Sequence, residues 1–473
     1  MSSAFNLAGS MPPRSFILKT RTIYLVALVA IFGGFLFGYD TAVINGANQY
    51  LKSHFALDPV GEGMAGASAI FGCIPGAMLA GWFSDRFGRR KVLFVCALLF
   101  AISGIMSALP RTFAEFLVAR FISGLGIGAS SMVCPVYIAE IAPKAWRGRL
   151  GTLFQFGIVS GIFITLFINA RIQGLGDEVW NATSGWRWMF AAEVAPAILL
   201  LAVLFFVKES PRWLIQANRE PEARMIFESI GGATFARTEM DAVRSVSDRE
   251  TGRFSELFGR RFRRPLIIAV ALMAFSQLSG INAIMYYSTK IFTTAGVGLK
   301  NSFAATTLVG LVNLLFTLVA LILMDKAGRR ALLLVGLLAQ VIALVAVGWM
   351  FHARVNGMAL LVAVVAFIAA FAVALGPIPW ILSSEIFPNR VRGRAMSVAT
   401  FVIWTSCYIV AQTFPMLNDN PRIGPALTFW AYAFCSLLGF VFVLVMVPET
   451  KGRSLEEIEM SWTKSQNHSS GNA

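Results

Sequence analysis

The sequence predicts an all-α membrane protein of twelve transmembrane helices in two six-helix halves. Three observations carry that prediction. Apolar stretches of bilayer-spanning length recur along the chain, basic residues crowd every second connection, and motifs of the first half return in the second. Of the 473 residues, 57% are hydrophobic and only 14% charged, far more apolar side chain than a soluble core needs, so lipid is the expected solvent.

A helix crossing the hydrocarbon core needs ~20 predominantly apolar residues. Such stretches fall at 22–48, 63–82, 91–109, 114–137, 149–170, 187–207, 266–293, 302–324, 331–352, 359–383, 395–417 and 427–447, numbered here as spans 1 to 12. The first twenty residues lack an apolar core followed by a small-residue cleavage site, so span 1 is expected to stay in the mature protein.

A net charge of +15 would suit a nucleic acid, but its placement argues for topology instead. Arg86, Arg89, Arg90 and Lys91 follow span 2, and Lys144, Arg147 and Arg149 follow span 4. Arg260, Arg261, Arg263 and Arg264 precede span 7, Lys326, Arg329 and Arg330 follow span 8, Arg390, Arg392 and Arg394 follow span 10, and Lys451 and Arg453 follow span 12. The other connections hold scattered cations such as Lys52, Arg111, Arg354 and Arg422. By the positive-inside rule the basic loops and both termini are assigned to the cytoplasm. Anionic lipid headgroups are the expected partners of that face, and no nucleic acid is. Short outer loops point to a bacterial inner membrane.

The repeat has an offset of about 240 residues. Asp85-Arg86-Phe87-Gly88-Arg89-Arg90 returns as Asp325-Lys326-Ala327-Gly328-Arg329-Arg330. Glu140-Ile141-Ala142-Pro143 with Arg147-Gly148-Arg149 returns as Glu385-Ile386-Phe387-Pro388 with Arg392-Gly393-Arg394, and Glu209-Ser210 as Glu449-Thr450. The expected organisation is a cytoplasmic segment 1–21, a six-helix bundle 22–209, a cytoplasmic linker 210–264, a second bundle 265–449 and a tail 450–473. Within the linker, Ala223, Ile226, Phe227 and Ile230 alternate with Glu222, Arg224 and Glu228 at helical spacing, as in short amphipathic helices.

Cys73, Cys96, Cys134, Cys407 and Cys435 all fall inside spans without metal-ligand spacing, and read as small packing residues. His54, His352 and His468 are far apart. No metal and no cofactor is expected. No nucleophile–base pair or phosphate-binding loop is visible, so an enzyme is not expected either.

Five motifs carry a family resemblance over nearly the whole chain: Gly81-Trp82-Phe83-Ser84-Asp85-Arg86-Phe87-Gly88-Arg89-Arg90, Glu209-Ser210-Pro211-Arg212-Trp213-Leu214, Gln277-Leu278-Ser279-Gly280-Ile281-Asn282, Gly376-Pro377-Ile378-Pro379-Trp380 and Pro448-Glu449-Thr450-Lys451-Gly452. The chain resembles the sugar-porter branch of the major facilitator superfamily, which includes bacterial sugar–proton symporters and human facilitative glucose transporters. The resemblance implies a monosaccharide carrier, hexose or pentose, working by alternating access; a monomer is expected, since nothing in the sequence requires more. A uniporter, a transporter-like nutrient receptor and a carrier of a polyol such as inositol are the competing readings.

A carrier must close its cytoplasmic side reversibly, and charge pairs at helix ends suit that task because a guanidinium holds a carboxylate through two hydrogen bonds. The candidates are Asp85, Glu140, Glu193 and Glu209 with Arg89, Arg147 and Arg212 in the first half, and Asp325, Glu385 and Glu449 with Arg329, Arg330 and Arg392 in the second.

A sugar offers hydroxyls that donate and accept, plus apolar C–H faces. Neutral amides and aromatic rings match both. Scanning the spans gives Gln155, Gln277, Asn282, Tyr286, Asn313, Trp380 and Trp404, with Phe37 facing them from span 1. These eight match sugar-contacting positions in the family's motifs. Gly280 and the Pro377/Pro379 pair are expected to interrupt spans 7 and 10 beside them, as helices do where backbone lines a cavity. Two positions depart from the family pattern: Ser276 stands where a second glutamine is usual, and Ile403 where an amide often precedes Trp404. Lys208 for a proline and Leu321 for a glycine are smaller departures.

Span 1 also holds Asp40, and span 4 holds Arg120. A mid-membrane aspartate costs ~3 kcal/mol on insertion scales, so it should be protonated, paired or facing a cavity. Arg120 is the expected partner. A movement that separates the two would change proton affinity between states, which is what proton coupling requires. The resemblance points the same way, since the family's proton symporters carry the acid here and the human facilitators an asparagine.

Overall fold

The structure is a computed structural model that describes residues 20–247, 254–355, 357–387 and 389–450. Among these residues twelve helical segments are long and apolar enough to cross a membrane: Thr22–His54, Pro59–Phe87, Arg89–Ala108, Phe113–Ile141, Gly148–Gln173, Glu178–Phe206, Phe262–Thr294, Leu299–Met324, Arg329–His352, Met358–Ser383, Val391–Asn418 and Gly424–Met446. They are the expected spans 1 to 12, most of them longer than the apolar stretches alone. Span 2 shows why: the Asp58 side chain caps the N–H of Gly61 with Pro59 in the first turn, and the helix runs on to Gly88, whose positive φ of 98° ends it. Hydrogen bonding, not hydropathy, sets the end.

Three spans are interrupted partway along their length. In span 7 the helix stops at Leu278, passes Gly280 at φ 85°, and restarts as Ile281–Thr294. A side chain at Gly280 would run into the Tyr432 ring. Span 10 breaks between Val373 and Ile378, around Pro377. Both interruptions are as expected. Span 6 breaks as well, at Ala192 and Glu193 between Trp186–Ala191 and Val194–Phe206, with a π-helical turn at Asn181–Gly185 before it.

Close glycine contacts set the packing within the first half. A methyl at Gly124 of span 4 would meet the Ala69 carbonyl of span 2, and one at Gly38 of span 1 would meet the Ile158 carbonyl of span 5. Small residues let backbones approach where lipid offers no hydrophobic drive. The two six-helix halves meet along spans 2 and 11, spans 5 and 8, and spans 1 and 7.

The linker forms Pro211–Gln216, Glu220–Ser247 and a 3-10 turn Phe254–Phe258. Ala223, Ile226, Phe227 and Ile230 are buried, while Arg224 pairs outward with Glu228 at 2.8 Å, so the alternation is an amphipathic helix. Lys451, Gly452, Arg453 and His468 lie outside the described residues.

Candidate functional site

Between the halves lies a cavity of about 700 Å³. All eight residues selected from the sequence line it: Phe37, Gln155, Gln277, Asn282, Tyr286, Asn313, Trp380 and Trp404. The two breaks bring them there. Gln277 ends the first part of span 7 and Asn282 opens the second, so the turn at Gly280 folds both amides to one side, where Asn282 donates to the Gln277 carbonyl oxygen. Trp380 opens the second part of span 10. Phe37 and Trp404 face each other across the halves with ring centroids 5.8 Å apart. Ser276 and Ile403 line the cavity too, as does Cys407. Among the described residues no lining residue is charged, and Ile138, Gly148 and Met396 extend the lining to the basic face.

Asp40 sits one helical turn beyond Phe37, turned from the cavity into the first half. Asp40 and Arg120 form the expected ion pair, fully buried, and Arg120 also donates to the Asp40 backbone carbonyl at 2.9 Å. Glu193 completes the cluster. The sequence groups it with the cytoplasmic gate, but the structure places it in the middle of span 6, fully buried and close to Asp40 and Arg120. Among the described residues the Asp40 Oδ2 and both Glu193 oxygens have no hydrogen-bond donor. Arg120 bonds Asp40, and the second buried carboxyl lies beside that pair.

At the basic face the repeat builds the same cluster twice. In the first half Arg89 pairs with Glu140 at 2.9 Å and Asp85 at 3.1 Å, and Glu209 accepts the backbone N–H groups of Arg89, Arg90 and Ser210. In the second, Arg329 pairs with Glu385 at 3.1 Å, and Glu449 accepts from the N–H groups of Arg329, Arg330 and Thr450. Ser210 and Thr450 donate to Glu140 and Glu385. Glu209 and Glu449 thus cap the first turns of spans 3 and 9, which leave N–H groups without helical partners. Gly88 and Gly328 sit there at φ 98° and 90°, where a side chain is strained, and a Cβ at either would also press on the capping carboxylate. Each of these ion pairs lies within one half. Arg392 departs from expectation: it donates to its own Phe387 carbonyl rather than to a carboxylate, closing the turn after span 10. Arg212 is half-buried at the start of the linker helix. The side chains of Arg147 and Asp325 lie outside the described residues.

The opposite face carries the contacts that join the halves, and sequence reasoning missed them. Buried Glu62 of span 2 receives Lys290 of span 7 at 2.8 Å, Lys52 of span 1 at 3.0 Å and Asn48 at 2.6 Å. Both lysines also reach Asp419, after span 11, at 2.9 and 3.2 Å. Beneath them Asn45 of span 1 donates to Ser288 at 2.7 Å and accepts from Thr289 at 2.7 Å. The signal was present. Lys290 is a cation inside an apolar span and Glu62 an acid in a small-residue run, and ionisable residues at such positions are functional by default.

The cavity is therefore open at the basic face and closed by a two-half charge network at the other. A membrane protein of two broken-helix halves around a central site is a secondary carrier in architecture. The chain belongs to the sugar (and other) transporter family, which matches over residues 26–462. It is 42% identical over 444 residues to the arabinose-proton symporter of Bacillus subtilis, covering 93% of this chain and 95% of that one. It is 38% identical to the D-xylose-proton symporter of Escherichia coli, covering 93% and 96%. Among solved structures it resembles the inward-open conformation of the xylose transporter XylE from E. coli with a TM-score of 0.83 at 38% identity, over 93% of this chain and all of that one.

Proposed function

We propose that this protein carries a monosaccharide, pentose or hexose, across a bacterial cytoplasmic membrane by alternating access, in symport with a proton. The observation that carries the reading is the lining of the cavity. Four side-chain amides and a set of aromatic rings converge there, with no charged residue among the described lining, which suits a neutral polyhydroxyl molecule and disfavours an ionic one. The arabinose and xylose symporters among its relatives support the same class.

With the basic face cytoplasmic, the structure is inward-open. The Glu62 network is then the closed outer gate, and the paired clusters around Arg89 and Arg329 are the parts of an inner gate that meet when the carrier turns outward. Asp40, Arg120 and Glu193 form the proton site. Span 1 carries both Phe37 at the sugar and Asp40 at the proton, so movement of one helix links the two events. Replacing Gln277 or Trp380 with alanine should weaken sugar binding about tenfold, given ~1–1.5 kcal/mol for a lost hydrogen bond or apolar contact. Binding is read by competition against a labelled sugar across pentoses, hexoses and polyols. Wild-type affinity in both variants refutes the pocket assignment.

A further inference from the structure

The amide pair in the cavity does not present free rotors to its substrate. The Ser276 hydroxyl lies 2.9 Å from the Met273 carbonyl oxygen, which can only accept, so its proton is committed there. Ser276 Oγ must then accept from Gln277 Nε2, 3.0 Å away. That turns the Gln277 oxygen toward Asn282, whose Nδ2 donates to it. The second Nδ2 hydrogen goes to Cys407 Sγ at 3.0 Å. Both hydrogens of Asn282 are thereby used, and one of the two on Gln277. Of the pair's four amide hydrogens only the second on Gln277 is left, and Asn282 Oδ1 is the amide oxygen that no donor among the described residues engages, on residues that both line the cavity.

We infer that Ser276 and Cys407 are positioning residues that fix the polarity of this pair, so that the site demands one hydroxyl that donates to Asn282 and a neighbouring one that accepts from Gln277. This rests on the sugar reading of the cavity. It gives Ser276 a role where a longer amide would otherwise contact the substrate itself. It also sets a rule of selectivity that shape alone does not. Fluorine accepts weakly and cannot donate, so it can stand in for the hydroxyl at Gln277 but not for the one at Asn282.

The test is inhibition of uptake in proteoliposomes. The labelled sugar is whichever of D-xylose, L-arabinose and D-glucose is carried best, and the inhibitors are its monodeoxy and monofluoro derivatives. In the wild type one ring position should tolerate fluorine but not hydrogen, and another should tolerate neither. Ser276→Ala and Cys407→Ala should each raise KM about five- to tenfold, the effect of one lost hydrogen bond, with a smaller change in maximal rate. Cys407→Ala frees an Asn282 N–H to turn toward the sugar, so fluorine at the second position should become tolerated. Cys407→Ser, which keeps an acceptor, should restore the wild-type pattern. Wild-type KM and an unchanged fluorine pattern in both alanine variants would overturn the inference. If Gln277→Ala and Asn282→Ala also keep wild-type KM, the sugar pocket itself is misassigned, which is a different failure.

Discussion

Asp40→Asn should abolish uphill accumulation of sugar while leaving exchange of sugar across the membrane largely intact. One elementary charge crossing ~100 mV carries ~2.3 kcal/mol, enough to hold a sugar gradient of roughly fiftyfold. The buried cluster explains why this residue controls that energy. On the proposed reading Asp40, paired with Arg120 and with Glu193 buried beside them, takes up and releases the proton as the halves move. Asparagine has nearly the size of the protonated acid and leaves Arg120 beside Glu193, so the helices stay packed while the exchangeable proton is lost. The accumulation ratio in energised cells should fall to about one, a roughly fiftyfold loss. Counterflow in sugar-loaded vesicles should persist. An undiminished accumulation ratio removes Asp40 from the coupling.

Glu62→Gln should swing the carrier toward its outward-open state. Glu62 is 1% exposed and anchors two lysines from different halves. Removing the charge strands Lys290, which is 15% exposed and left with Asp419 alone. Breaking a buried pair costs ~3 kcal/mol at the lower end, roughly a hundredfold in the conformational equilibrium. Spin labels at exposed Leu175 and Val355, on opposite halves of this face, should report a longer distance in the variant. An unchanged distance distribution contradicts the gate. Acid should act in the same direction. Burial alone would raise the Asp419 carboxyl, but hydrogen bonds from Lys290 and Asn418 and the charges of Lys290 and Lys52 hold it below the usual aspartate value. A lowered value in the closed state contributes closure above the ordinary pKa of about 4 and loses it as pH falls through the lowered one, so this face should loosen only in strong acid.

The helices and the cavity lining were legible because a membrane makes polar residues conspicuous: Gln155, Asn313 and Trp404 stand out in apolar surroundings, and Gly280 and Pro377 announce the breaks between which Gln277, Asn282 and Trp380 converge. The repeat foretold the twin clusters around Arg89 and Arg329. Glu193 is misgrouped by sequence because Asp40, which it lies buried beside, is 153 residues away. The outer network was illegible for the same reason. Glu62 meets Lys290 across 228 residues, and Asp419 reads in sequence as an ordinary loop acid. Pairings within a repeat can be read from spacing, whereas pairings between halves depend on which way the carrier is facing.

The central claim, sugar movement through the neutral cavity coupled to a proton, is tested most directly with a pH electrode. Purified protein in lightly buffered proteoliposomes, given an inward gradient of D-xylose, L-arabinose or D-glucose, should alkalinise the medium as sugar enters, and the Asp40→Asn protein should not. Sugar entry by the wild-type protein without any alkalinisation would contradict the account.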